Sequence, residues 1–242
     1  MNARICTWFV FVVLCTCLLP ARAAAPPELQ DLPLIEVLPT NPGDSAAAEV
    51  RPPLAILLTG AGGWARIDSD ISAELAANGV PVVGFDTVRY LWKERSPEEC
   101  ARDVARVMER YTRTWSRQRV VLIGYSLGAD ILPFIVNRLP DEWRNHVAAT
   151  VLIGLGDTAT FVFHSVDVLP GVLLEGKPLA PELARLDLAS VVCLYGADDR
   201  ESLCPSLAGK GAHVEQLGTG HHLGGHYRTI AQRILEVTLR SQ

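Results

Sequence analysis

Positive charge is in short supply: 22 lysines and arginines stand against 27 aspartates and glutamates in 242 residues, for a net charge of −5. That balance makes nucleic acid a poor partner, because phosphate backbones are held by a basic excess. Neither the P-loop Lys-Ser/Thr nor a Gly-x-Gly-x-x-Gly spacing is present, which argues against a nucleotide site, and no His-Glu-x-x-His helix offers a metalloprotease centre. No internal repeat or low-complexity array is visible, so a solenoid is not expected. The opening apolar run, Ile5 to Leu19, is about 15 residues and too short for a comfortable membrane span.

What that run resembles is a leader. Arg4 precedes it, and Pro20-Ala-Arg-Ala-Ala-Ala25 follows with small residues at cleavage spacing, so residues 1–25 read as a secretory signal peptide. Loss of Arg4 and Arg22 leaves 20 basic against 27 acidic residues, near −7. Export also takes away Cys6, Cys15 and Cys17. Of the cysteines that remain, Cys193 and Cys204 are expected to pair and Cys100 to stay free on a helix, the alternative being three reduced core thiols. The closure of about a dozen residues stabilises by roughly 2 to 3 kcal/mol on the loop-entropy model and would stiffen whatever lies inside it.

The most informative stretch that is present is Gly124-Tyr-Ser-Leu-Gly128. Arg119 to Gly124 is a β-branched apolar run of the kind that fills the centre of a parallel sheet, and Ala129 to Leu139 reads as helix. Ser126 therefore falls on a strand-to-helix turn. Glycines on either side suit such a sharp turn, since side chains there would crowd the backbone that pushes Oγ into the open. That makes Ser126 a candidate nucleophile.

Partners follow in the chain order serine, acid, histidine expected of an α/β-hydrolase. Ser190 to Tyr195 is a second buried-strand pattern, running into Gly196-Ala-Asp-Asp199. Asp199 is the preferred acid, with Asp198 as alternative, and an Asp-rich turn that satisfies only its own backbone is the bland reading. Beyond a strand expected over Ala212 to Leu217, three of the six histidines lie in Gly220-His-His-Leu-Gly-Gly-His226. His221, straight after Gly220, is the candidate general base, and His222 is expected to face the other way. A zinc site built from His221, His222, His226 and one aspartate is disfavoured: adjacent histidines in an extended loop point apart, and the serine would be left unexplained. No metal or other cofactor is called for. Oxyanion donors are expected from Leu127 and from Ala61 or Gly62, in the glycine run after the strand Leu54 to Thr59.

The rest of the chain alternates β and α. Val80 to Phe85 reads as strand, and Ser96 with Glu99 forms a capping box opening a helix to about Thr112, whose apolar positions recur at core-packing spacing. Tyr227 to Leu239 reads as the closing helix. Residues 26–52, rich in Pro and Ala, look like an extended lead-in to a domain over 53–242. Only about 37 residues lie between the strands at Val147 to Ile153 and at Val191, so a large cap domain does not fit. Thr158 to Val168 is expected to be a short strand or small flap. The fold expected is a mostly parallel central sheet with helices on both faces.

Several signatures together are more specific: Thr59-Gly-Ala-Gly-Gly-Trp64, Asp86-Thr-Val-Arg-Tyr-Leu-Trp92, Gly124-Tyr-Ser-Leu-Gly-Ala-Asp-Ile-Leu-Pro-Phe134, Cys193-Leu-Tyr-Gly-Ala-Asp-Asp199 and Gly220-His-His222. In these the chain resembles the VirJ/AcvB virulence-protein family, in its short single-domain form, over roughly residues 52 to 240. The resemblance implies an exported, periplasmic α/β-hydrolase that cleaves the aminoacyl ester of aminoacylated phosphatidylglycerol at the membrane surface, with type IV secretion components as further partners. The chain departs from the family's Ser-Gly-Asp-Gly-Gly-Trp in carrying Ala61 for the acid. If that acid binds the substrate's ammonium, specificity differs here. Asp86 and Asp130 are then candidate ammonium partners, with helix capping or plain surface charge as the equal alternative.

Overall fold

The structure is a computed structural model that describes residues 28–40, 51–163 and 176–240, the last three of these by backbone alone. The expected leader, residues 41–50 of the lead-in and most of the expected flap lie outside the described residues. In chain order the larger elements are β1 (Leu34–Val37), β2 (Leu54–Leu58), α1 (Arg66–Ala77), β3 (Val82–Phe85), α2 (Thr87–Leu91), α3 (Pro97–Thr114) and β4 (Val120–Tyr125). Then come α4 (Leu127–Arg138), α5 (Asp141–Arg144), β5 (Val147–Ile153), β6 (Thr158–Ala159), β7 (Lys177–Pro178), α6 (Ala180–Leu183), β8 (Val191–Tyr195), β9 (His213–Gln216) and α7 (Tyr227–Arg240).

Seven strands make one sheet in the order β1-β3-β2-β4-β5-β8-β9, while β6 and β7 pair separately. From β3 to β9 every pairing is parallel. The sequence requires this arrangement: β2 and β4 are buried at every position, and only a sheet covered on both faces accommodates such runs. Alternation decides which face each residue serves. Ile56, Leu58 and Leu122 pack with α3 and α4. Ala55, Leu57, Val121 and Ile123 pack with Ile67, Ile71 and Leu75 of α1 and Ile230 and Ile234 of α7.

The helix starts follow local chemistry. Ser96 Oγ accepts the Glu99 N–H at 3.1 Å and Glu99 Oε2 accepts the Ser96 N–H at 2.7 Å, the predicted capping box, with Pro97 at the first helical position. The lead-in is where the outcome differs from expectation. Leu34–Val37 pairs antiparallel with β3, Leu34 opposite Phe85 and Val37 opposite Val82. The segment that looked like an approach to the domain covers the edge of its sheet. Such covering relieves β3 of an open row of backbone donors and acceptors.

Candidate active site

Ser126 sits between β4 and α4 with φ 50° and ψ −119°, a left-handed conformation that non-glycine residues adopt only when the surroundings impose it. Here its N–H still completes the sheet, donating to the Ile153 carbonyl at 2.9 Å, while its own carbonyl already accepts the Asp130 N–H at 2.9 Å. One residue thus ends a strand and begins a helix. The flanking glycines serve a different need, that of close approach. A Cβ at Gly124 would lie 2.6 Å from the Gly128 carbonyl oxygen, and one at Gly128 would lie 2.2 Å from the Leu58 carbonyl oxygen. Any side chain at either position would prise α4 away from β2 and β4.

The candidate acid comes from the turn after β8. Asp199 Oδ2 lies 3.1 Å from His221 Nδ1, its side chain 9% exposed. Asp198, the alternative acid, is engaged elsewhere: its Oδ1 accepts the N–H of Gly220, just before the histidine. The acid loop is closed by the predicted disulfide between Cys193, on β8, and Cys204. It is further fixed by the Leu203 N–H donating to the Leu155 carbonyl at 3.0 Å. Cys100 is free and buried in the core, which pushes its thiol up to about 12.

His221 Nε2 lies 2.8 Å from Ser126 Oγ. With a carboxylate accepting at Nδ1, the hydrogen-bond network assigns the ring proton to that nitrogen. Nε2 is then the acceptor for the Ser126 hydroxyl proton. His222 turns away as expected and meets the Tyr125 hydroxyl through Nδ1 at 2.5 Å. The His226 ring lies against the loop itself, beside Gly218 and Gly224. Among the described residues no group of three His, Cys, Asp or Glu could hold a metal ion.

The turn carrying Ala61 and Gly62 leaves β2 beside Ser126. Leu58 is in register with Gly124, and a Cβ on Gly60 would lie 3.2 Å from Ser126 Cβ. The Gly63 N–H donates to the Gly60 carbonyl at 3.1 Å and closes this turn, while neither Ala61 nor Gly62 donates its N–H to any partner among the described residues. Leu127 opens α4, where backbone N–H groups have no partner within the helix.

The two candidate ammonium partners separate. Asp86 caps α2, accepting the Arg89 N–H at 3.1 Å. Asp130 accepts the Gly156 N–H at 2.7 Å, and burial pushes its carboxyl up to about 7, with Asp157 and Asp199 adding to the rise. Sequence reasoning missed Tyr125 as the partner of His222. It also missed Asp68 on α1, buried and pushed up to about 6 by desolvation. Asp68 Oδ2 accepts the Ala65 N–H, but Oδ1 and the nearby Ser72 Oγ have no partner among the described residues. A buried acid on an otherwise amphipathic helix was the available signal.

A parallel sheet flanked by helices, with a strained serine after its central strand and acid and histidine on later loops, defines the α/β-hydrolase fold. Solved structures bear this out. Proline iminopeptidase from Mycobacterium smegmatis superposes with a TM-score of 0.58 at 14% identity, covering 86% of this chain and 96% of that one. A probable hydrolytic enzyme from Pseudomonas aeruginosa gives 0.57 at 15%, covering 84% and 88%. Est1E from Butyrivibrio proteoclasticus, with ferulic acid bound, gives 0.54 at 14%, covering 85% and 94%. At such identities the likeness establishes the fold. The chain belongs to the VirJ family of bacterial virulence proteins, whose model matches residues 53–242. Curated protein sequences contain no match. It is accordingly a member of that family with the α/β-hydrolase fold, and its disulfide fits an oxidising, extracytoplasmic compartment.

Proposed function

We propose that the protein is a periplasmic serine esterase that removes the aminoacyl group from aminoacylated phosphatidylglycerol. The observation that carries the reading is the continuous hydrogen-bonded series Ser126 Oγ, His221 Nε2, His221 Nδ1, Asp199 Oδ2, at 2.8 Å and 3.1 Å. In the proposed reaction Ser126 Oγ attacks the aminoacyl carbonyl carbon and its proton passes to His221 Nε2. The carbonyl oxygen becomes an oxyanion, met by the Leu127 N–H and by that of Ala61 or Gly62. Collapse breaks the bond to the glycerol oxygen, which takes the proton from Nε2, and phosphatidylglycerol departs. Water then attacks the acyl-enzyme, His221 relays its proton to Oγ, and the free amino acid leaves. Asp199 holds the imidazole in the required tautomer and balances its transient charge. Every step uses groups of this chain and one water, so the scheme calls for no cofactor.

Membership of a bacterial virulence family and the expected leader support the substrate and compartment, because an exported esterase meets lipid esters at the membrane. The test is release of free amino acid from lysyl- and alanyl-phosphatidylglycerol by the wild-type protein and by Ser126→Ala. Release by the wild type alone is the expected outcome. A folded wild-type protein that takes a serine-directed phosphonate at Ser126 yet releases neither amino acid would overturn the lipid assignment. It would favour a small-acyl esterase or an accessory role with type IV secretion components.

A further inference from the structure

We propose that Arg89 and the segment Trp92 to Arg95 form the surface by which the protein docks on an anionic phospholipid bilayer. The proposal rests on the lipid-esterase reading for its purpose, but its residues lie outside the Ser126 site. Among the described residues no helix is long and apolar enough to cross a membrane.

The position suits that task. β3 ends at Phe85, and α2 leads straight from it to Trp92 at the edge of the sheet where Ser126 emerges. β3 is two strands from β4 in the sheet, a lateral distance of roughly 10 Å at ordinary strand spacing. Trp92 is 60% exposed. The other large exposed apolar residue among the described residues, Leu38, follows Val37, which pairs with Val82 at the start of β3, so it lies toward the far edge of the sheet.

Charge selects the partner. Arg89, Lys93, Arg95 and, across a neighbouring cleft, Lys177 form no close salt bridge among the described residues, Asp31 and Glu99 acting on Arg95 only through longer-range attraction. Arg95 lies between two clefts of about 410 and 540 Å³. Its guanidinium stacks 4.7 Å from the Tyr90 ring centroid, and its buried Nε has no hydrogen-bond partner. Of the nearby acids, Asp31 is paired with Arg106 and Glu98 with Arg138, which leaves Glu94 and Glu99 in opposition, Glu99 also accepting the Ser96 N–H. A cationic rim on a chain of net charge −5, with an amphipathic indole at its tip, matches phosphate headgroups and the interface beneath them. Each cation near such a surface strengthens partitioning by about fivefold.

The test is co-sedimentation of the full chain with vesicles of phosphatidylglycerol and phosphatidylcholine, and of phosphatidylcholine alone, all without aminoacyl lipid. Binding to the anionic vesicles that weakens with salt is expected, with little binding to the neutral ones. Because Arg89, Trp92 and Lys93 are all exposed, the combined variant Arg89→Glu, Trp92→Ala, Lys93→Glu should fold. It should lose about 30-fold or more in partitioning while hydrolysing a soluble ester at the wild-type rate. Equal vesicle binding by variant and wild type would overturn the proposal. So would a wild type that ignores anionic vesicles, an outcome that would hand the face to a protein partner. Docking without release of amino acid would defeat the substrate assignment alone, and unchanged hydrolysis of bilayer lipid by the variant would defeat the docking surface alone.

Discussion

Ser126 is fixed by its immediate chain neighbours: β4 before it, α4 after it, and two glycines that let helix and strands touch. His221, 95 residues further on, has no such local frame. Its loop is held by Asp198 at the Gly220 N–H, and the acid loop beneath it by the Cys193–Cys204 disulfide and the Leu203 to Leu155 hydrogen bond. One half of the site is therefore preset by local backbone geometry, and the other half is assembled by contacts distant in sequence. Damage to the first should be all-or-none, whereas damage to the second should be graded.

The largest effect is expected at the elbow. Ser126→Ala should lower kcat toward an ester by on the order of 10⁴-fold or more without changing the melting temperature, because it removes the proposed nucleophile and no packing atom of consequence. Gly128→Ala should lose activity and fold together, since its Cβ would meet the Leu58 carbonyl oxygen at 2.2 Å. Steady-state kinetics beside thermal denaturation separates the two. A stable, active Gly128→Ala protein would refute the idea of a preset turn.

The two adjacent aspartates sharpen the contrast. Asp199→Asn leaves the shape intact but no longer stabilises the imidazolium, and should cost on the order of 10³- to 10⁴-fold in kcat. Asp198→Asn removes only a tether on the histidine loop and should cost roughly 10-fold. A reversal of that order would make Asp198 the acid.

Sequence reading was strongest where information is local. The elbow, the capping box of α3 and the buried strands all follow from patterns within a dozen residues, and each appears within a few residues of its expected bounds. The assignment between Asp198 and Asp199 stayed open because both occupy one polar turn, and their separation depends on where a distant loop lies. The pairing of Leu34–Val37 was hidden for a similar reason. A four-residue strand among prolines and alanines carries no periodicity, and only the exposed flank of β3 gives it a place. His222 meeting Tyr125 joins residues 97 apart, which no local pattern encodes.

Next in size is the tie across the acid loop. Cys204→Ser should cost roughly 2 to 3 kcal/mol on the chain-entropy model, or about 5 to 10 °C in melting temperature for a domain of this size. Activity at 25 °C should fall only a few-fold, because the Leu203 to Leu155 hydrogen bond and the Asp198 tether remain. Loss as severe as in Ser126→Ala would show that the distant half of the site is as brittle as the elbow.

The smallest effect is a pH dependence at Asp130, one turn along α4 from the serine. Its carboxyl is pushed up to about 7 by burial, against the hydrogen bond from Gly156, while in the unfolded chain it titrates near 4. Between those values the native state keeps a proton that the unfolded state has released. Its contribution to stability is therefore full below about 4, declines as pH rises, and is gone above about 7. The whole shift corresponds to about 4 kcal/mol, and because Asp130 as a residue is only half-buried we take roughly half of it. Asp130→Asn keeps an acceptor for the Gly156 N–H and cannot ionise. Subtracting its denaturation free energy from that of the wild type, pH by pH, cancels Asp68 and the other titrating groups. The difference should fall by roughly 2 kcal/mol between pH 4 and pH 7.5. A flat difference would mean that Asp130 is ionised and solvated like a surface residue, and that the elbow's helix tolerates a full charge beside the nucleophile.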